Sequence, residues 1–302
     1  MKVTELPVDA VDSLGAVTIG RPRRWYDTFF RPMPLVGAAL VTVAVVAALG
    51  APKLAPFNPD MGELGNRLLP PSWLAEHPSP FLLGTDTVGR DLLSRIIFGA
   101  RISLLVGVCS VVLSVLVGVI LGLIAGYAGG RVDDILMRLV DLQLSFPFIL
   151  LAITVMAVLG PGLWKVIVLM AIAQWGQYAR VVRSEVLVVK QMGFVEAARC
   201  IGTPTSMILR RHILPNVMNS VVVLATLNVA NNILLEAGLT FLGLGVDPST
   251  PSWGGMLAAA REYVTTAWWF ATFPGLAIML TVLGFNLLGD WLRDVLDPKL
   301  NV

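Results

Sequence analysis

Charged residues are scarce in this sequence. Asp, Glu, Lys and Arg make up only 14% of the 302 residues, whereas 56% are hydrophobic and the mean hydropathy is +0.78. A soluble domain carries about 25% charged residues, so this composition excludes an ordinary soluble core. The formal net charge of +2 is small and gives no indication of a nucleic-acid partner.

Cysteine and histidine are also rare, which excludes several kinds of site. Cys109 lies in a long apolar run and Cys200 in a polar, basic loop, a placement that argues against a disulfide framework and a metal site. His77 and His212 are too scattered to be metal ligands. The glycine-rich stretches lack the Gly-x4-Gly-Lys-Ser/Thr pattern that binds phosphates. We therefore expect that the chain binds no metal, nucleotide or other cofactor and catalyses no reaction alone.

Long runs without charged residues dominate what remains. A membrane-spanning helix needs about 20 mainly apolar residues, and five of the six runs reach that length. The fourth run is shorter and becomes a span only if Lys165 and Arg180 extend toward the lipid headgroups at its two ends. Because backbone polar groups in lipid must be paired within the chain, we predict an all-α protein with six transmembrane helices. The runs are Pro32–Pro52, Ile102–Gly130, Leu142–Trp164, Val166–Ala179, Ile213–Leu235 and Tyr263–Gly289.

The distribution of basic residues predicts the orientation. With the N-terminus in the cytoplasm, the inner segments carry 15 Lys and Arg residues and the outer segments carry 7, so the positive-inside rule favours both termini in the cytoplasm. We predict that the outer segment Lys53–Arg101 is irregular chain followed by a short amphipathic helix at Arg90–Gly99. A second outer segment, Phe241–Trp269, is predicted to fold back against the membrane surface. Plain connecting loops are the alternative for both segments.

Small and polar residues inside the runs indicate contacts between helices. Gly118, Gly122 and Gly126 repeat at four-residue spacing, which favours close helix packing, although glycine is common in membrane helices anyway. Polar side chains within spans mark either a solute path or interhelical hydrogen bonds. Asn228 and Asn232 share one helix face and are the preferred candidates for a translocation path. The further polar candidates are Gln143 and Gln177, which are also assigned to that path, and Ser145, Gln174 and Asn231.

The longest inner segment, Arg180–Asn216, carries the most informative pattern. In it, Glu196-Ala197-Ala198 is followed after three residues by Gly202 and after ten more by Ile213-Leu214-Pro215. Alanines keep a helix slim, glycine permits backbone conformations closed to other residues, and proline suits the first turn of a helix. The pattern predicts a short docking helix, a tight turn, a second amphipathic helix and the start of the next span. An ordinary interhelical loop is the alternative.

This segment resembles the coupling-loop signature of importer permeases of the ATP-binding cassette (ABC) superfamily. That signature is Glu-Ala-Ala, three residues, Gly, nine residues, then Ile-x-Leu-Pro, and only the Ile position differs, where this chain has His212. From about Arg31 onward, the chain resembles the C-type permease of the dipeptide/oligopeptide branch. The stretches that carry this second resemblance include Gly84–Arg95, Gly99–Leu104, Gly126–Gly130, Leu239–Gly245, Pro251–Gly254, Gly284–Asp290 and Leu296–Pro298.

The resemblance implies a type I ABC importer permease fold in the bacterial cytoplasmic (inner) membrane. Its partners would be a homologous B-type permease, two cytoplasmic ABC ATPases that bind the ATP, and an external solute-binding protein. Residues 101–292 would form the ABC transporter type-1 transmembrane domain. Residues 32–100 would add the first helix and external loop, and residues 1–31 and 293–302 would be cytoplasmic. The residues implied in ATPase coupling are Glu196, Ala197, Ala198, Gly202, Leu214 and Pro215.

The resemblance also implies a solute class, import of dipeptides or oligopeptides. Relatives in this branch import glutathione, nickel complexes or glycosides, and these are the alternatives. A stand-alone secondary transporter would carry ionisable residues deep in several spans, and an intramembrane enzyme would need a nucleophile or metal constellation. The sequence shows neither pattern, so a subunit of an ATP-driven importer is the preferred hypothesis. Glu236, at the end of the fifth run, is interpreted as a structural carboxylate in preference to a selectivity charge.

Overall fold

The computed structural model of the protein describes residues 32–296, and every regular element in that range is helical. The all-α fold class is therefore confirmed. Predictions for residues 1–31 and 297–302 lie outside the described residues. The α-helices are α1 (Pro32–Leu54), α2 (Leu92–Ala128), α3 (Gly130–Ser145), α4 (Phe148–Leu159), α5 (Leu163–Val189), α6 (Gly193–Cys200), α7 (Thr205–Ile208), α8 (Leu214–Phe241), α9 (Trp253–Ala260) and α10 (Trp268–Leu296), with a π-turn at Leu209–Ile213 and 3-10 turns at Leu64–Asn66 and Arg261–Tyr263.

Four helices of the described range are long and apolar enough to cross a membrane, or five if the bent pair α3 and α4 forms one span. They are α1, α2, the continuous helix Thr205–Phe241 that ends with α8, and α10. α5 is 27 residues long, but Lys165, Gln174, Gln177 and Arg180 interrupt its apolar sequence. The predicted count of six spans is therefore not confirmed.

The third predicted span, Leu142–Trp164, is wrong as a single helix. α3 ends at Ser145, the backbone of Phe146 is extended (φ −87°, ψ 125°), and α4 leaves with an 80° change of direction. Pro147 explains the break, because proline lacks an amide hydrogen and disfavours helical backbone at the preceding residue. α4 is then only 12 residues long and is followed by Gly160, whose φ is +73°.

The predicted separate helix at Arg90–Gly99 is also wrong, because its residues from Leu92 onward belong to α2. Asp91 caps this helix: its carboxylate accepts hydrogen bonds from the amide (2.8 Å) and the hydroxyl (2.6 Å) of Ser94. α2 contains 37 residues, which at about 1.5 Å per residue gives roughly 55 Å. Since a hydrocarbon core is about 30 Å thick, the first turns of α2 project beyond it and support the external chain.

The external chain packs onto the outer ends of these helices. The indole Nε1 of Trp253, at the start of α9, donates to the carbonyl oxygen of Ile96 in α2 (2.9 Å), and a Cβ at Gly99 would lie 2.9 Å from the Trp253 ring. α9 also lies against α8, because a Cβ at Gly254 would be 2.6 Å from the Cα of Ala237. The second outer segment thus folds back onto the helix bundle.

The glycine stripe of α2 lies directly against α5. A Cβ at the middle glycine, Gly122, would lie 2.6 Å from the carbonyl oxygen of Ala179, closer than real Cβ atoms approach other heavy atoms. Gly118 and Gly126 meet the same helix one turn away on either side. Small residues at these positions allow the two backbones to come this close. The sequence alone left this neighbouring helix unspecified.

Candidate functional site

The inner segment forms a short helix, α6, with one buried and one exposed face. Val195 is fully buried and Ala198 is 6% exposed, and both belong to the apolar cluster that also contains the start of α8. Their three-residue separation places them on one side of the helix. Glu196 and Ala197 point away from that cluster and are exposed. α6 is therefore packed against the bundle while its other side remains available for a partner.

Two contacts fasten the inner segment to the C-terminal end of α2. The guanidinium carbon of Arg199 lies 5.2 Å from the centroid of the Tyr127 ring, a cation–π contact. Just before α6, the Nζ of Lys190 donates to the carbonyl oxygen of Gly126 (2.8 Å). These contacts connect the end of α5 and α6 to the C-terminal end of α2.

A glycine turn ends α6. Gly202 has a φ of +77°, its amide donates to the carbonyl of Arg199 (2.9 Å), and the amide of Thr203 donates to the carbonyl of Ala198 (3.0 Å). These two hydrogen bonds form a Schellman cap, whose left-handed residue costs a non-glycine about 1–2 kcal/mol. A Cβ at Gly202 would meet nothing within 4 Å. The glycine is thus required by backbone conformation and not by a lack of space.

A continuous helix follows this turn. The predicted amphipathic helix and the next span are joined in Thr205–Phe241 and are not separate elements. Pro215, in the first turn of α8, removes one helical hydrogen bond, and the π-turn immediately before it is the kind of local irregularity that accommodates such a loss. His212, which departs from the coupling signature, lies in this π-turn with its ring 6.1 Å from that of Phe194. The departure therefore adds a ring contact between α6 and the base of α8.

The exposed surface of the inner segment combines polar turns with apolar side chains. The predicted coupling residues found on it are Glu196, Ala197, Gly202 and Pro215, whereas Ala198 is buried and Leu214 is half-buried. Ile201 and Met207 were not predicted from the sequence, yet they are 82% and 49% exposed. Exposed large apolar side chains in a polar segment are typical of a protein-interaction surface, and their presence in a polar loop was a readable signal. We call the surface formed by Glu196, Ala197, Ile201, Gly202 and Met207 the coupling face.

Asn228 and Asn232 lie inside the bundle, where they bond to neighbouring helices. The Nδ2 of Asn228 donates to the hydroxyl of Tyr178 (2.9 Å). The Nδ2 of Asn232 donates to the Oγ of Ser110 (2.7 Å), and its Oδ1 accepts a hydrogen bond from Gln174. These bonds join α8 to α5 and α2. The geometry therefore favours the interhelical role for this pair, the leading candidates for a translocation path among the polar residues of the spans.

The other two predicted path residues lie on α3 and α5. Gln143 of α3 is half-buried and its Nε2 donates to the carbonyl oxygen of Ile172 in α5 (2.6 Å). Gln177, near the middle of α5, is exposed on the surface of the bundle, as are Ser145 of α3 and Asn231 of α8. Polar side chains are therefore exposed on the surface of the helix bundle along α3 and α5.

Glu236 is a fully buried carboxylate in α8. Its Oε2 accepts a hydrogen bond from the hydroxyl of Ser103 in α2 (3.1 Å), and its Oε1 accepts one from Thr240 (2.8 Å). No cation pairs with it among residues 32–296. Since both oxygens are bonded within the chain, the geometry favours a structural role in fastening α8 to α2.

Metal-binding geometry is not found in the described part of the chain. Within residues 32–296, no three or more His, Cys, Asp or Glu side chains come together in a group that could hold a metal ion. Cys109 is half-buried and Cys200 is exposed at the end of α6, and both are free thiols.

Comparison with known proteins identifies the class to which this architecture belongs. The family described as "Binding-protein-dependent transport system inner membrane component" matches residues 118–302, so the chain belongs to that family. The chain is 47% identical over 276 residues to the di/tripeptide transport system permease protein DppC of Pseudomonas aeruginosa (strain UCBPP-PA14), covering 91% of each chain. It is 45% identical over 300 residues to the glutathione transport system permease protein GsiD of Escherichia coli O6:K15:H31, covering 95% of this chain and 96% of that protein.

A further relative is also a permease of dipeptide transport. The dipeptide transport system permease protein DppC of Escherichia coli (strain K12) is 46% identical over 266 residues, covering 88% of this chain and 89% of that protein. The resemblance to C-type permeases of the dipeptide branch is therefore confirmed. The chain is an ABC importer permease of the peptide/glutathione type, a transport component and not an enzyme.

Proposed function

We propose that this chain is the C-type membrane subunit of an ATP-driven importer of dipeptides or oligopeptides in the bacterial inner membrane. Its partners are a B-type permease, two cytoplasmic ABC ATPases that bind the ATP, and an external solute-binding protein. The peptide solute is supported by the identities of 47% and 46% to permeases of di/tripeptide and dipeptide transport. Glutathione is the alternative solute, because the glutathione permease is 45% identical over nearly the whole chain.

The coupling face carries this proposal. α6 is short, presents Glu196 and Ala197 on its exposed side, and ends in a Schellman cap at Gly202 that exposes Ile201. An ATPase that binds these residues pushes on an element that is already fastened to α2 by Arg199 and packed under α8. Closure of the ATPases is thereby converted into a rigid-body movement of the helices, driven by the different affinities of the two states for ATP.

The proposed function also gives each region of the chain a location relative to the membrane. Residues 101–292 form the transmembrane domain that the ATPases drive, and residues 32–100 add α1 and the external chain. Residues 1–31 and 293–302 lie in the cytoplasm together with the coupling face. The excess of Lys and Arg in the inner segments supports this orientation.

The experiment that tests the coupling role replaces Gly202 with valine. The importer is reconstituted in liposomes with its partners, and peptide uptake and ATP hydrolysis are measured together. Valine disfavours the backbone conformation at φ +77° by about 1–2 kcal/mol, so the equilibrium constant for the capped state falls about 5- to 30-fold. Gly202→Val should therefore reduce uptake about tenfold while ATP hydrolysis and membrane insertion continue.

Gly193, at the opposite end of α6, offers a matched control. A Cβ at Gly193 also meets nothing within 4 Å, but its φ is not positive, so Gly193→Val should keep uptake close to that of the unmodified importer. Normal uptake by Gly202→Val would contradict the docking role. Peptide movement by the purified chain reconstituted without any ATPase would contradict the proposed function as a whole.

A further inference from the structure

Two ion pairs join α3 to α5, and they differ in hydrogen-bond geometry and in solvent exposure. Arg183 contacts Asp133 through both Nε and Nη2, at 2.5–3.2 Å, and the Asp133 side chain is only 11% exposed. Arg180 contacts Asp141 through one hydrogen bond of 2.6 Å, and these side chains are 54% and 67% exposed. A bidentate pair with a mostly buried carboxylate and an arginine side chain 34% exposed fastens two helices, whereas an exposed single contact contributes little to stability. The Asp141–Arg180 pair is therefore not required to hold α3 in place.

This exposed pair lies within the membrane-spanning region of the bundle. Arg180 follows Ala179, whose carbonyl oxygen lies against Gly122 of α2. Gly122 is eight residues from the end of the charge-free run Ile102–Gly130, a distance of about 12 Å. The whole run is about 43 Å long and exceeds a hydrocarbon core of about 30 Å by roughly 6 Å at each end. Arg180 is thus about 6 Å inside the inner edge of the hydrocarbon zone, so the inner segment begins after Arg180 and not at it as the charge-free runs predict.

The surface around the pair is polar on both helices. Gln177 lies three residues before Arg180 on the same side of α5, and Ser145 lies four residues after Asp141 on the same side of α3, and both are exposed. Charged groups facing lipid are costly and instead face a bundle interior or a water-filled cavity. We call the surface formed by Asp141, Ser145, Gln177 and Arg180 the α3–α5 polar face, and its composition is typical of a wall of an aqueous space.

We propose that the α3–α5 polar face lines the translocation path and that Asp141 and Arg180 bind the charged ends of a zwitterionic solute. Asp141 accepts hydrogen bonds from the ammonium group of the solute, and Arg180 donates to its carboxylate. The exposed edges of both side chains remain available because only one hydrogen bond joins them. This inference rests on the proposed import of peptides, whose two free ends carry these two charges.

A first experiment tests whether the face contacts water in the assembled importer. Both native cysteines, Cys109 and Cys200, are replaced by serine, and Gln177→Cys is treated with a charged, membrane-impermeant thiol reagent with and without ATP. Ile120→Cys is the control, because Ile120 is 56% exposed, lies between two glycines of α2 that contact α5 near Gln177, and has only apolar residues three and four positions away along α2. Labelling of Gln177→Cys alone is expected. No labelling of Gln177→Cys in either state, or equal labelling of both variants, would overturn the inference.

A second experiment tests the contacts with the solute ends. Saturable binding of alanyl-alanine, its N-acetyl form and its C-terminal amide to the purified complete importer is measured by equilibrium dialysis without the external binding protein. Arg180→Gln should weaken binding of alanyl-alanine and its N-acetyl form about tenfold and leave the amide unchanged. Asp141→Asn should weaken alanyl-alanine and the amide and leave the N-acetyl form unchanged.

The variant Asp133→Asn distinguishes solute binding by Asp141 and Arg180 from a purely structural role of the ion pairs between α3 and α5. It removes charge from the bidentate pair and should lower thermal stability without changing the preference among the three peptides. Absence of saturable binding to the unmodified importer, or equal weakening of all three peptides by Arg180→Gln, would overturn the inference. If the unmodified importer takes up alanyl-alanine but the Arg180→Gln and Asp141→Asn variants keep its preference among the three peptides, the solute contacts proposed here are refuted and the proposed function stands. If it takes up no peptide, the proposed function fails.

Discussion

Replacing Gly122 with alanine should destabilise the helix bundle, although alanine is the better helix former. The new Cβ would lie 2.6 Å from the carbonyl oxygen of Ala179 and 2.8 Å from the Cβ of Val182. Neither atom can rotate away, because one belongs to the backbone and the other is attached to it. Overpacking of this kind costs about 1–3 kcal/mol, which exceeds the gain of about 0.5–1 kcal/mol for alanine in a helix.

Gly238 in α8 is the matched control for this substitution. A Cβ at Gly238 would meet nothing within 4 Å, so Gly238→Ala should keep or raise stability. The assay is the thermal midpoint of the purified protein in detergent, followed by fluorescence-detected size-exclusion chromatography. The midpoint should fall for Gly122→Ala and should not fall for Gly238→Ala. Equal midpoints for the two variants would refute the close approach of α2 to α5.

Two further predictions concern hydrogen bonds that join or cap helices. Asn232→Ala leaves the buried Nε2 of Gln174 without its acceptor and removes the hydrogen bond that Ser110 Oγ accepts, which should destabilise the protein by about 1–3 kcal/mol; an unchanged thermal midpoint would contradict the interhelical role. Asp91→Ala removes the cap that accepts from Ser94 and should cost about 0.5–2 kcal/mol. Hydrogen exchange should then rise at the start of α2 and remain near normal in Asp91→Asn, and equal exchange in both variants would argue against the cap.

The helical membrane fold was predictable because the absence of charge over some twenty residues is a local property of the sequence. The break at Pro147 was missed because the run Leu142–Trp164 is free of charge on both sides of it. The continuity of α7 and α8 was missed because Arg210 and Arg211 end the charge-free run, although the helix continues through them. Charge content predicts the environment of a segment but does not fix its helix ends.

The candidate site was predictable to the extent that it depends on backbone geometry. The turn at Gly202 followed from the sequence, because glycine is the residue that suits a left-handed cap. The surroundings of Asn232 did not follow, because a polar residue in a span is compatible with a water-filled path and with an interhelical bond. Only the packing of α2 and α5 around α8 distinguishes these two roles.

The central claim, that the coupling face contacts an ATPase, can be tested with the native sequence. Cys200, the last residue of α6, is exposed, whereas Cys109 is half-buried in α2. The complete, transport-competent importer is labelled with a photoactivatable maleimide, irradiated with and without ATP, and analysed by mass spectrometry. We predict a cross-link from Cys200 to an ATPase subunit that changes with ATP and disappears in Cys200→Ser. Cross-links from Cys200 that reach only lipid or the permease, in an importer that takes up peptide, would contradict the claim.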